Sequence, residues 1–181
     1  MIILNDVNNF TEETIEKLFS IFKKDFIDNH TYLTKNSISY LIDIKKEIVC
    51  PCPFGKKDKP ERFWHLITNE KSKSKHKNPC PFPENNRKYD VARAKRIHWI
   101  KIIIENWQKD EHIKYFYEII NRKETLHIWH TKYDFLIIIR KESNSSDRFL
   151  VSTYLIYKNQ RHRYKNRLKR YESSKHKIDW F

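Results

Sequence analysis

The sequence predicts an α+β fold in which helices come first, a four-stranded antiparallel sheet follows, and a basic C-terminal helix or tail ends the chain. Three observations carry this expectation. Apolar residues recur at helical spacing in the first 110 residues. Four runs rich in Ile, Phe, Tyr and Val come next, separated by turn-forming residues. The final segment is strongly basic. With 181 residues, 39% hydrophobic and 14% aromatic, the chain has the apolar content for a buried core and is expected to form one compact domain. Within it, residues 1–47 read as an N-terminal helical or extended packing segment, residues 48–181 as the main α+β part, and residues 158–181 as its basic tail.

Thr11 is a good N-cap, with Glu12 and Glu13 in the first turn of a predicted helix over residues 12–28. Ile15, Leu18, Phe19, Phe22 and Phe26 supply its apolar stripe. Between Tyr32 and Val49 the alternation of Ile38, Tyr40, Ile42 and Ile44 fits a hairpin or an extended connection. Cys50 to Pro60 reads as a loop containing Gly55, the single glycine. Phe63 to Ile67 reads as a short strand carrying His65, and Asn69 to Lys88 as a long Lys-rich loop. Asp90 caps a predicted helix from Val91 to Trp107, with Ala94, Ile97, Ile100, Ile104 and Trp107 buried. The four expected strands are Ile113–Ile120, Thr125–His130, Phe135–Arg140 and Phe149–Tyr157.

The formal net charge is +14, and it is unevenly placed. Residues 1–47 hold 6 Lys/Arg against 8 Asp/Glu, whereas residues 48–181 hold 31 against 15 and Lys158–Phe181 alone 9 against 2. Nucleotide bias enriches Lys without regard to position, so this clustering points instead to a polyanion, above all nucleic acid. No apolar run approaches the roughly 20 residues of a membrane span, and the N-terminus lacks the basic start of a signal peptide. A cytoplasmic protein with no membrane partner is the expectation.

Several chemistries are disfavoured. One glycine cannot build a Walker loop or a dinucleotide fingerprint, and neither Gly-x-Ser-x-Gly nor His-Glu-x-x-His occurs. The acids are scattered, so a two-metal nuclease is not favoured. Cys50, Cys52 and Cys80 with His76 offer three sulfurs and an imidazole for zinc, but the tight Cys-x-Cys spacing and Pro51, Pro53, Pro79 and Pro81 fit reduced thiols in turn-rich loops. No metal or other cofactor is assigned.

Metal-free RNA cleavage requires a base for the ribose 2′-hydroxyl, an acid for the leaving 5′-oxygen, and cations or hydroxyls around the phosphorane. His65, His98, His127 and His130 titrate in the useful range, Arg96, Lys101 and Arg140 can clamp phosphate, and Ser152, Thr153 and Tyr154 bring hydroxyls on one strand. Each has a plain structural alternative: a satisfied strand histidine, a solvated basic helix face, or a threonine serving only as a β-former.

The blocks Phe63-Trp64-His65-Leu66-Ile67-Thr68, Arg93-x-x-Arg96-Ile97-x-Trp99-Ile100, Ile104-Glu105-Asn106, Thr125-Leu126-His127-Ile128-Trp129, Tyr133-Asp134-Phe135-Leu136-Ile137-Ile138 and Leu150-Val151-Ser152-Thr153-Tyr154 occur in this order. From about Phe19 to Tyr171 the chain resembles small phage-associated, toxin-like proteins of the barnase–EndoU–colicin–RelE nuclease superfamily. The resemblance implies N-terminal helices packed on a four-stranded antiparallel sheet and a metal-independent endoribonuclease site. It implies His65 as general acid or base, Arg96 on phosphate and Thr153 on the scissile phosphate; Lys101 is added from the charge argument. Arg93, Arg140, Ser152, Arg161, Arg163, Arg167 and Arg170 complete the expected nucleic-acid surface. His98 stands where the related pattern has proline, and Ser152-Thr153 leaves open which hydroxyl works. The expected partners are RNA, free or on the ribosome, and an acidic antitoxin or immunity protein. The alternative is a non-catalytic nucleic-acid-binding protein of phage or mobile-element origin.

Overall fold

A computed structural model of the chain describes residues 1–47, 59–70, 87–142, 147–174 and 180. Cys50, Cys52, His76 and Cys80 lie outside the described residues, as do most of the two expected loops that carry them. The chain divides into two compact units: Met1–His30 with Ile44–Trp99, and Thr31–Asp43 with Ile100–Phe181. Among the described residues no helix is long and apolar enough to cross a membrane.

In the first unit α1 (Glu12–Lys23) starts at Thr11, whose hydroxyl accepts from the Thr14 N–H at 3.2 Å. It runs into a π-helical turn, Lys24–Asp28, closed by Asn29 N–H donating to Lys24 O. Ile15, Leu18, Phe22 and Phe26 are buried at the predicted spacing. The expected strand at Phe63–Ile67 is instead a helix, α2 (Glu61–Ile67). The burial pattern explains the correction. Phe63, Trp64, Leu66 and Ile67 are all buried, which a two-faced strand with one wet side cannot achieve. At 100° per residue those four cover one contiguous arc and leave Glu61, Arg62 and His65 on the other. Phe63 then meets Phe19 and Phe22 at ring separations of 5.3 and 5.5 Å. Two short strands, β3 (Thr68–Glu70) and β4 (Arg87–Tyr89), pair antiparallel after it.

The single helix expected over residues 91–107 is two, α3 (Val91–Ala94) and α4 (Trp99–Glu105), the second beginning with the last residue of the first unit. Between them the backbone tightens to i→i−3 bonds, Ile97 N–H to Ala94 O and Trp99 N–H to Arg96 O. The turn is tied down by the rings of His98 and Trp99, whose Nε2 and Nε1 both lie 2.8 Å from Ile2 O.

The second unit corrects the four-stranded expectation. β5 (Ile113–Ile120), β6 (Lys123–His130), β7 (Phe135–Lys141) and β8 (Arg148–Leu155) do form an antiparallel meander. It is extended by a hairpin, β1 (Tyr32–Lys35) and β2 (Ile38–Asp43), into a six-stranded mixed sheet of order β1-β2-β8-β7-β6-β5. β2 runs parallel to β8, pairing Ile42 with Arg148 and Asp43 with Phe149. The physical reason is edge protection, since a meander alone leaves the outer N–H and C=O groups of β8 unpaired. With six strands and one parallel pair, the sheet is not the four-stranded antiparallel one expected, and α1 belongs to the other unit. After β8 comes a basic helix, α5 (Arg161–Ser173), which lies against β5.

Candidate functional site

His65 sits on the half-buried arc of α2, one turn after Glu61, and its Nε2 lies 2.9 Å from Glu61 Oε1. Both side chains are 26% exposed, so the pair is accessible to solvent while held in place. A carboxylate on one imidazole nitrogen fixes the orientation of the ring. Arg93 is 5% exposed and turned inward. Its Nη1 donates to His65 O at 3.2 Å and Thr68 O at 3.0 Å, and its Nε lies 3.4 Å from Asp90 Oδ2. These are carbonyls at the C-terminal end of α2, where a cation is favoured. Asp90 also caps α3 through Oδ1 and the Arg93 N–H. Arg93 thus positions the helix that bears His65. Arg96, half-buried, donates to Ala92 O at 2.7 Å and lies over the Trp99 ring at 5.1 Å; burial lowers its pKa.

His65, Arg93 and Arg96 belong to the first unit, and the other predicted site residues to the second. There Lys101 pairs with Glu105 at 2.7 Å. Arg140 holds Glu142 Oε1 through Nε at 2.9 Å and Nη2 at 2.5 Å and covers the Phe149 ring. Thr153 is 1% exposed opposite Ile137, and Ser152, also buried, lies opposite Ile138 on the other face of the strand. The register shift beside Val151 sets these faces.

α5 divides cleanly. Tyr164, Arg167, Leu168 and Tyr171 are half-buried, at i, i+3, i+4 and i+7, while Arg163, Lys165, Lys169 and Arg170 are exposed. Arg161 donates to Asp134 Oδ1 at 2.8 Å and to Thr131 O at 2.9 Å, which fixes the start of the helix. Arg167 lies 3.4 Å from Glu118 Oε2. The four exposed cations have no ion-pair partner among the described residues, and Arg163, Lys169 and Arg170 border a shallow channel of about 660 Å³ with His162 and Asn166.

A second groove of about 710 Å³ runs between β5 and α5, bordered by Tyr117, Glu118, Ile119, Arg167, Arg170 and Tyr171. Beneath it His127 stacks on Phe116 at 4.7 Å and places Nε2 3.5 Å from the same Glu118 oxygen that meets Arg167. Burial, helped by Arg167, pulls the His127 pKa down to about 3, so the ring is neutral at physiological pH.

No family model, no curated protein and no solved structure matches this chain.

Sequence reasoning passed over Glu61, Glu118, Lys165, Lys169 and Tyr171. Glu61 becomes visible once the Phe63 block is read with helical period, as it stands four residues before His65. Lys165 and Lys169 lie in the basic segment already singled out. Glu118 required the hairpin register, which pairs it with Thr125, diagonal to His127.

Proposed function

We propose that this protein binds RNA and cleaves it as a metal-independent endoribonuclease of toxin type. The observation that carries the proposal is the exposed row Arg163, Lys165, Lys169 and Arg170 on α5: four cations with no acidic partner among the described residues, in a chain of net charge +14. Exposed cations left unpaired exchange counterions for phosphates, which supplies affinity without base specificity.

For the chemistry the first unit offers the His65–Glu61 pair. Neutral His65 takes the proton of a ribose 2′-hydroxyl, the 2′-oxygen attacks phosphorus, and the 5′-oxygen leaves with a proton, giving a 2′,3′-cyclic phosphate and a 5′-hydroxyl. Protonated His65 serves the same reaction as the acid. Glu61 holds the ring in either role. An acidic antitoxin or immunity protein would suit the α5 face, competing with RNA for the same cations.

The engaged state of Arg140 and Lys101 and the burial of Thr153 favour a second reading, a nucleic-acid-binding protein without catalysis. Inducible expression of wild type and His65→Ala in a bacterium, with RNA ends mapped, separates the two. New 5′-hydroxyl ends in wild type alone support cleavage by His65. Intact RNA with soluble, folded protein leaves the binding protein.

A further inference from the structure

The groove between β5 and α5 brings exposed apolar side chains and cations together. Ile119 is 66% exposed on the edge strand, next along the same face from Tyr117, and Ile120 is also exposed. Exposed isoleucines in a strand forgo hydrophobic stabilisation that a bound ligand would recover. Across the groove stand two guanidinium groups. Arg170 is exposed with no ion pair among the described residues. Arg167 is paired with Glu118, its Nη1 3.4 Å from Oε2.

The apolar surface of Ile119 and Tyr171 beside the exposed Arg170 guanidinium suits a ligand with one flat apolar face and one anionic end. The volume of about 710 Å³ lies within the range of roughly 300–1,000 Å³ typical of small-molecule sites. A duplex cannot offer this combination, because its bases are stacked inside; an unpaired nucleotide can. We propose that this groove seats one unstacked nucleotide of single-stranded RNA, with its base on Ile119 and the half-buried Tyr171 and its phosphate on Arg170. The proposal deepens the RNA-binding reading and rests on it, and it assigns to the groove a preference for single strands that the outer cations of α5 do not provide.

The test is calorimetric titration of the full chain at low salt with 5′-AMP, ribose 5-phosphate and inorganic phosphate. In parallel, a short single-stranded RNA is compared with its duplex. 5′-AMP should bind about tenfold tighter than ribose 5-phosphate, from base stacking. Ile119→Ser should remove most of that difference, and Arg170→Ala should weaken all three ligands. Both positions are exposed, so both variants should fold. Equal affinity for the three ligands, or no 5′-AMP binding at millimolar concentration, would overturn the groove. So would 5′-AMP affinity unchanged in Ile119→Ser. Single-stranded RNA binding that persists through such a result leaves the α5 reading intact. Normal 5′-AMP binding without RNA affinity removes that reading and keeps the groove as a nucleotide site.

Discussion

The Arg93 guanidinium donates to the main-chain carbonyl of His65 at 3.2 Å, so it holds the end of the helix that presents the histidine. Arg93→Ala would leave Asp90 and two carbonyls without their buried cation. We expect a loss of about 3 kcal/mol in stability, read by urea unfolding. The salt dependence of RNA binding should be unchanged in the fraction that stays folded.

Glu61→Gln removes the charge beside His65 and keeps a helix-forming side chain of the same size. If His65 transfers protons, cleavage should fall by about 100-fold, because the carboxylate that orients the ring at 2.9 Å is gone. RNA affinity should not change. An unaltered cleavage rate would remove Glu61 from the reaction.

The triple variant Arg163→Ala/Lys169→Ala/Arg170→Ala should flatten the plot of log affinity against log salt by about 2, at roughly 0.7 per phosphate contact on single strands. Its unfolding free energy should stay within about 0.5 kcal/mol of wild type, as these side chains are exposed. Retention of the full salt slope would place the RNA contacts elsewhere.

His127 has a folded pKa of about 3 against an ordinary value of 6.5. Between those values the unfolded chain binds a proton that the folded one does not, so stability rises with pH. The contribution is complete above pH 6.5 and is lost as pH falls towards 3, at up to about 1.4 kcal/mol per pH unit. His127→Phe keeps the ring on Phe116 and abolishes this titration. Urea midpoints between pH 4 and 7 should vary less in the variant, leaving the share from His130, whose pKa burial also lowers.

Two hairpins turn through two residues at positive φ, Asn36-Ser37 (50° and 67°) and Asn121-Arg122 (49° and 62°). This is the type I′ geometry, in which glycine suits the second position. Ser37→Gly and Arg122→Gly should each raise stability by about 0.5–1 kcal/mol, measured as an increase in Tm.

Much of the fold was legible wherever a pattern was long and bounded by its own signals. The Thr11 cap with Ile15, Leu18 and Phe22 marked α1, and four β-rich runs with intervening turns marked the meander. The Phe63 block was not legible. Over seven residues, an apolar run fits a strand or a buried helix equally well, and the Phe19 and Phe22 rings that settle it lie about 40 residues away. The break between α3 and α4 was hidden for a similar reason, since the contacts that pin it come from Ile2.

For the candidate site the division is the same. The sequence by itself determined the chemistry available: a histidine in the Phe63 block, a cationic tail, and the excess of positive charge after residue 47. Only the tertiary structure decided which of those groups are engaged. Arg93, Arg140 and Arg161 have the same composition signal as Arg163 and Arg170, yet the first three hold carbonyls and carboxylates of their own chain. Arg163 and Arg170 are left facing solvent. The physical reason is that charge is a property of the residue, whereas its partner is set by which distant backbone and carboxylate groups the fold brings within hydrogen-bonding reach.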